Sequence, residues 1–228
     1  MKTQFKQLLT LGLLVFAMAC SKKAQVDPAK GLSAQIQRIV PQSILDTLQK
    51  KGMVINQGTT PPKIEGIFLV SPNILVSPYG PKDTYKPGDE FAETKYKFYE
   101  QSADNQSVKF DYKYLLTAGS GTGVGSYVSG NGNFFTLFSE TTGKQGSLVT
   151  YKSIDVISGE ITSTGIKNIQ TAFIIKSKTG DDSNVAIIAV GLGRILKDGD
   201  GVAEKVNSYR IGVSEGTTGG KFKSPVRL

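Results

Sequence analysis

Short stretches in which every second residue is apolar, separated by glycine, proline and asparagine, restrict what this chain can fold into. In the clearest stretch, apolar side chains alternate with charged ones: Val108, Lys109, Phe110, Asp111, Tyr112, Lys113 and Tyr114. A period of two places the apolar side chains on one face of a β-strand. Turn residues recur every dozen positions or so, as in antiparallel barrels and sandwiches. The pattern therefore predicts a mainly β fold, an antiparallel β-barrel or sandwich of about 8–10 strands.

One short N-terminal helix is predicted over residues 41–51. Pro41 suits the first helical position, and Gly52 suits the left-handed residue that ends a helix. Ile36, Ile39 and Val40 could add a further turn before it. Strands are predicted at 63–70, 73–77, 91–101, 107–114, 134–138, 147–157, 160–163, 169–176 and 185–196, with a closing strand through Tyr209, Ile211 and Val213.

Two stretches are rich in residues that interrupt regular structure. Six prolines between residues 52 and 91 exclude a continuous helix and favour short strands at a sheet edge or a barrel mouth. The glycine- and serine-rich stretch 118–130 is predicted to be a flexible loop with one short strand at 125–128. Residues 143–146 are predicted to separate two strands.

The first 20 residues form a unit of their own. Lys2 and Lys6 precede an apolar run over 8–17 that is too short to span a bilayer permanently, and small residues lead to Cys20. This arrangement resembles the lipobox of bacterial lipoproteins, with Ala17 where that motif usually has Leu. The resemblance implies cleavage before Cys20, a diacylglycerol on its sulfur and an acylated amino group. The alternative is an ordinary signal peptide that is cut after Ala19.

These features predict three segments. Residues 1–19 are a lipoprotein signal peptide, residues 20–32 the lipidated Cys20 with a flexible tether, and residues 33–228 a single β-rich domain that contains the helix. The lipoprotein resemblance implies that a residue other than Asp after the cysteine, here Ser21, permits sorting to the outer membrane. The predicted location is therefore the cell envelope, at the outer membrane, facing either the periplasm or the cell surface.

Composition excludes several functional classes. The chain has no histidine, and its single cysteine is Cys20. Ser-His-Asp and Cys-His catalysis are therefore excluded, and zinc, haem and iron–sulfur sites of the usual kinds are not expected. The formal charge of +8 is spread along the chain without a basic run, so no nucleic-acid partner is expected. We expect no enzyme activity, with a carboxylate-dependent hydrolase as the open alternative.

Two groups of residues are candidate sites. The aromatic residues of the middle strands are expected in the core, but the phenols of Tyr96, Tyr112 and Tyr114 could bind a ligand at an apolar cavity wall. Hard-cation candidates lie near the C-terminus: Asp198, Asp200 and Glu204. A polar Asp-Gly turn explains that motif without a metal, and a structural Ca²⁺ is the alternative. No other cofactor is expected.

The strand pattern resembles lipocalin-type barrels, although their Gly-x-Trp signature is missing because the chain has no tryptophan. The resemblance implies a carrier of an apolar ligand. The predicted function is a membrane-anchored, non-enzymatic binding module for a small apolar or glycan ligand. The alternative is a structural or adhesive β-sandwich that contacts other envelope proteins, with an exposed apolar patch on residues 52–91.

Overall fold

A computed structural model describes residues 31–210 and 223–228. In these residues two helices precede twelve strands: α1 (Ala34–Ile39), α2 (Gln42–Lys50), β1 (Thr59–Thr60), β2 (Gly66–Val70), β3 (Asn73–Ser77), β4 (Glu90–Phe91), β5 (Thr94–Tyr99), β6 (Lys109–Tyr114), β7 (Gly119–Asn131), β8 (Phe134–Gln145), β9 (Val149–Ile161), β10 (Gly165–Thr179), β11 (Gly193–Asp198) and β12 (Val202–Lys205). The predicted mainly β, antiparallel fold class is confirmed. Two of the strands, β1 and β4, are only two residues long.

Local signals position the two helices. The Ser33 hydroxyl caps α1 by accepting a hydrogen bond from the Ile36 N–H at 3.4 Å. α2 ends at Lys50, and the predicted left-handed residue after it is Gly52, whose φ is +95°. The Met53 N–H bonds back to the Leu48 carbonyl at 2.9 Å. Within the described ranges, neither helix is long and apolar enough to cross a membrane.

Eight strands are paired in a circuit that returns to its start. Neighbouring strands run in the order β2, β5, β6, β7, β8, β9, β10 and β12, and β12 pairs again with β2. Strand β10 has two neighbours along one edge: Gly165–Lys167 pair with β12, and Gln170–Ile174 pair with β11. From β11 a sheet extension continues through β3 to β4. The fold therefore has a barrel-like part and an open edge, joined by β10.

The glycine-rich stretch that the sequence predicted as a flexible loop is strand β7, 13 residues long. Alternate glycines lie under aromatic rings of β6, so that a Cβ at each would overlap a ring: Gly119 under Tyr114, Gly121 under Tyr112 and Gly123 under Phe110. The prediction was wrong because it treated glycine only as a turn residue. Here glycine makes room for a large side chain on the neighbouring strand.

Other predicted boundaries also need correction. Strand β8 continues through Gln145, so the turn between β8 and β9 lies at residues 146–148 instead of 143–146. Of the predicted strand 160–163, Glu160 and Ile161 are the end of β9, and residues 162–163 lie outside any strand. The run 185–196 is not one strand: β11 begins at Gly193, and the preceding residues form an irregular segment that buries Ile187 and Ile188. Tyr209 lies in a bend, while Ile211 and Val213 of the predicted closing strand lie outside the described residues.

Three apolar clusters stabilise the domain. One fills the strand circuit, and another lies between β10, β11, β3 and the C-terminal residues. The third packs the two helices onto the other face of β8, β9 and β10. Leu32, which the sequence assigned to the tether, is 1% exposed in that third cluster, so packing of the domain begins there.

Arg194 on β11 connects the proline-rich segment to the C-terminus. Its Nε and Nη2 donate to the two carboxylate oxygens of Asp83 at 2.8 and 2.7 Å. Its Nη1 donates to the carbonyls of Pro225 and Arg227, both at 2.6 Å. The side chains of Arg194 and Asp83 are 0% exposed. Such a bidentate, buried pair holds the two segments against the sheet extension.

Candidate functional site

The three tyrosines predicted to line a ligand site lie side by side inside the strand circuit. Tyr96 on β5 is directly opposite Tyr112 on β6, and Tyr114 follows two residues later on the same face. Ring centroids are 6.2 Å apart for Tyr96 and Tyr112, and 5.3 Å apart for Tyr112 and Tyr114. All three side chains are buried. The alternation of apolar and charged residues along β5 and β6 was sufficient to predict that the three tyrosines lie together. Ligand binding by these tyrosines stays a prediction.

A fourth tyrosine, which the sequence reading missed, completes the cluster. The hydroxyl of Tyr151 on β9 is 2.7 Å from that of Tyr112. Two strands separate these residues, and both carry glycine at the paired positions, Gly121 and Gly143. The two rings reach each other across the glycines. Only the strand register shows that Tyr151 joins the other three tyrosines in one row. Nothing in the local sequence distinguishes Tyr151 from other aromatic residues of the core.

Three tyrosines of the cluster, Tyr96, Tyr112 and Tyr114, line a cavity of about 10 Å³. Polar groups on its wall include Asn73, Asp155 and Thr171. The buried Oδ1 of Asn73 has no hydrogen-bond partner in the described part of the chain. One water molecule needs a cavity of roughly 10–15 Å³. This cavity therefore has room for about one water molecule, and a sugar or an apolar chain would not fit in it.

Burial determines the protonation of this cluster. It raises the pKa of the hydroxyls of Tyr96, Tyr112, Tyr114 and Tyr151, so these groups are neutral at physiological pH. Burial also raises the pKa of Asp155 to about 6, although the Ser153 hydroxyl, which donates to its Oδ2 at 2.5 Å, opposes this shift. The cluster thus offers neutral hydrogen-bonding groups and one titratable acid.

The hard-cation candidates Asp198 and Asp200 form the turn between β11 and β12. Asp198 Oδ1 accepts hydrogen bonds from the N–H groups of Asp200 at 3.2 Å and Gly201 at 3.0 Å, and its Oδ2 accepts one from Ser71 N–H at 3.0 Å. Burial and the neighbouring Asp200 raise the pKa of Asp198 to about 6. Backbone donors thus occupy the Asp198 carboxylate, as in a polar turn.

Glu204 lies further along, on β12. It is exposed, and its Cα partners are Leu69 and Gly165. Across residues 31–210 and 223–228, no group of three or more His, Cys, Asp or Glu side chains is arranged to hold a metal ion. The structure therefore gives the Ca²⁺ alternative no additional support.

A cleft of about 170 Å³ opens on the outer face of the sheet, near the hairpin of β7 and β8. Its lining residues are Val54, Asn56, Phe134, Ser158, Gly159, Glu160 and Asn168. Phe134 is 52% exposed and Val54 is 55% exposed, which is unusual for large apolar side chains. Phe134 and Glu160 are direct cross-strand partners, so the ring and the carboxylate lie side by side.

One wall of this cleft is the segment 52–56, which crosses the outer face of the sheet. Four hydrogen bonds hold it there: Val54 N to Gln170 Oε1 (2.7 Å), Gln170 Nε2 to Gly52 O (3.0 Å), Asn56 N to Thr136 Oγ1 (2.7 Å) and Asn56 Nδ2 to Phe135 O (2.9 Å). On the other side, β10 changes register between Lys167 and Gln170, and Asn168 there has a φ of +50°. The cleft is thus built from fixed elements.

The sequence reading missed this cleft because it assigned Phe134 to the core together with Phe135. Adjacent residues of a strand point to opposite faces. Since Phe135 is fully buried in the strand circuit, Phe134 must point outward. The adjacent phenylalanines were the available signal, but the polar residues around the exposed ring come from distant parts of the chain.

Cys20, the predicted lipidation site, lies outside the described residues. Comparisons with known proteins found no matching family model, no matching curated protein and no matching solved structure.

Proposed function

We propose that this chain is a lipid-anchored, non-enzymatic binding protein of the cell envelope, at the outer membrane, which holds a small apolar or glycan ligand. The anchor is supported by Cys20, the single cysteine of the sequence, which directly follows an apolar leader with small residues at its end. Several acyl chains together hold a protein on a membrane far more firmly than one chain.

The distance between anchor and domain follows from chain length. Packing begins at Leu32, and an extended chain spans at most about 3.6 Å per residue. The domain therefore stays within about 45 Å of a lipid attached at Cys20. This position suits a protein that presents a ligand close to the membrane.

The observation that carries the binding proposal is the open cleft beside Phe134. The tyrosine-lined cavity holds about one water molecule, whereas the cleft has about 170 Å³ of accessible space. A ring and a carboxylate that are already in place reduce the entropic cost of binding. Glu160 is the one acidic residue among those that line the cleft. Carboxylate-dependent hydrolysis of a glycoside uses two acidic residues. Binding without chemistry is therefore the better-supported activity.

Native mass spectrometry of the full-length protein in detergent tests this proposal. Spectra would be recorded as purified and after addition of palmitate or soluble gluco- and N-acetylglucosamine oligosaccharides. We expect a bound mass, either copurified or added, that is lost on denaturation. Absence of every bound species in repeated preparations would overturn the binding function.

A second candidate, adhesion through protein contacts, is favoured by two exposed apolar side chains at one end of the sheet. Leu148, in the turn between β8 and β9, is 82% exposed, and Val185 is 75% exposed. The two lie near each other because the Leu148 carbonyl approaches Gly180, and Val185 N–H bonds to Asp181 at 2.9 Å. Adhesion predicts that Leu148→Ser removes a specific envelope cross-link that Val54→Ser leaves intact.

A further inference from the structure

The cleft beside Phe134 combines groups that recognise carbohydrates, and we infer that it binds one ring of a glycan. This inference depends on the binding function proposed above and names its ligand class and its residues. The Phe134 ring would stack on the apolar C–H face of the sugar, while Glu160, Asn56 and Asn168 would bind its hydroxyl groups. None of these four residues was predicted as a site.

The polar side chains of the cleft have unused hydrogen-bonding capacity. The described residues give the Glu160 carboxylate no salt bridge and no hydrogen bond, although Lys167 is its cross-strand partner. They likewise place no hydrogen bond on the side chain of Asn168, and Asn56 uses one Nδ2 proton for the Phe135 carbonyl. A carboxylate accepts hydrogen bonds, whereas an amide both donates and accepts. Vicinal hydroxyl groups need this mixture.

The carboxylate beside the Phe134 ring discriminates between classes of ligand. An apolar ligand seated on Phe134 would remove the Glu160 carboxylate from water without replacing its hydrogen bonds, which is costly. An anionic ligand would be repelled by the same carboxylate. A neutral polyhydroxylated ring satisfies both the aromatic face and the polar groups. The charge and the polarity of the cleft thus favour a sugar.

The size and the rigidity of the cleft suit a single sugar ring. A volume of about 170 Å³ lies below the roughly 300–1,000 Å³ of pockets that enclose drug-sized molecules. It fits one ring, and the open side leaves space for the rest of a chain. The hydrogen bonds between the 52–56 wall and the sheet fix Asn56 before a ligand arrives, so binding requires little rearrangement.

Isothermal titration of the full-length protein in detergent, with the same gluco- and N-acetylglucosamine oligosaccharides, tests the inference. We expect Phe134→Ala and Glu160→Gln each to weaken binding of the sugar by about ten-fold, and Phe134→Tyr to retain it, since it preserves the ring. Leu148→Ala is the control, because it removes an exposed apolar side chain outside the cleft. Unchanged thermal unfolding would show that each variant is folded.

The outcomes separate this inference from the proposed function. Sugar binding that Phe134→Ala and Leu148→Ala leave equally strong would overturn the site. Binding of palmitate without any sugar would overturn the glycan inference while the binding function stands. If neither class of ligand binds, both proposals fail.

Discussion

Gly143 shows how strongly a single residue constrains this fold. A Cβ at this position would overlap the Tyr151 ring, and the hydrogen bond to Tyr112 prevents that ring from moving freely. We expect Gly143→Ala to lower the free energy of unfolding by about 1–3 kcal/mol, the usual cost of overpacking a core. Urea unfolding of the full-length protein in detergent measures this difference.

Gly80 provides the matched control for that substitution. No atom lies within 4 Å of the Cβ position at Gly80, so Gly80→Ala adds the same methyl group without a clash. The Gly80 variant should unfold at nearly the wild-type urea concentration. Equal destabilisation at the two glycines would contradict the close ring contact at Gly143.

Asp155 should make stability depend on pH. Its pKa is about 6 in the folded protein, against about 3.9 for an unfolded aspartate. Between these values the folded state binds more protons, so the contribution of Asp155 to the free energy of unfolding falls as pH rises from 4 to 6. Asp155→Asn removes this pH-dependent loss of stability, because asparagine does not titrate. The variant should gain about 2 kcal/mol relative to wild type between pH 4 and pH 7.

Urea unfolding at four pH values between 4 and 7 provides the measurement. Asp182→Asn changes the net charge equally at an exposed turn, so it controls for the overall charge of the protein. A constant difference between Asp155→Asn and wild type across this range would show that Asp155 titrates in the same way in the folded and unfolded states.

At the scale of elements, the sequence was informative where local signals decide the structure. The helix end at Gly52 and the alternation of 107–114 were correct because capping and period-two patterning act within a few residues. β7 was missed because its stability comes from the rings of β6, which cover its glycines. The run 185–196 was misread because apolar residues can also be buried by an irregular segment, as Ile187 and Ile188 are. Tertiary contacts override local preference in both cases.

The proline-rich segment depends on one side chain of β11. Arg194→Ala would leave the Asp83 carboxylate buried without its partner, and breaking such a pair costs about 3–5 kcal/mol. The surface pair Lys63–Glu65, at 2.8 Å, offers a contrast, since Lys63→Ala should lower the free energy of unfolding far less than Arg194→Ala. Chemical unfolding of the two variants in parallel tests this. Similar costs for both would mean that the Arg194 pair does not hold the segment.

At the scale of the whole molecule, closure of the strand circuit could not be predicted. β12 meets β2 through the pairs of Glu204 with Leu69 and of Lys205 with Phe68, which are far apart in the chain. A period-two pattern specifies which face of a strand is buried but not its neighbour, so barrel and sandwich remained open. The candidate cleft could not be predicted for the same reason, because its lining residues come from the segment 52–56 and from β8, β9 and β10.

The lipid anchor that we propose belongs to the scale of the whole chain, and Cys20→Ser tests it. A serine has no sulfur to carry diacylglycerol, so the domain should move from the membrane to the soluble fraction. Fractionation of cells and the intact mass of the protein together measure this. Persistent membrane association of a processed Cys20→Ser protein would overturn the anchor.

The tyrosine row also gives this protein its own optical reporter. The chain has nine tyrosines and no tryptophan, and four of the nine form the buried cluster around Tyr112. Tyrosine emission and near-ultraviolet circular dichroism are therefore not masked by indole signals, and a large share of them arises from the centre of the strand circuit. Opening of the circuit can be followed spectroscopically without a label, at the place where β6 and β9 meet.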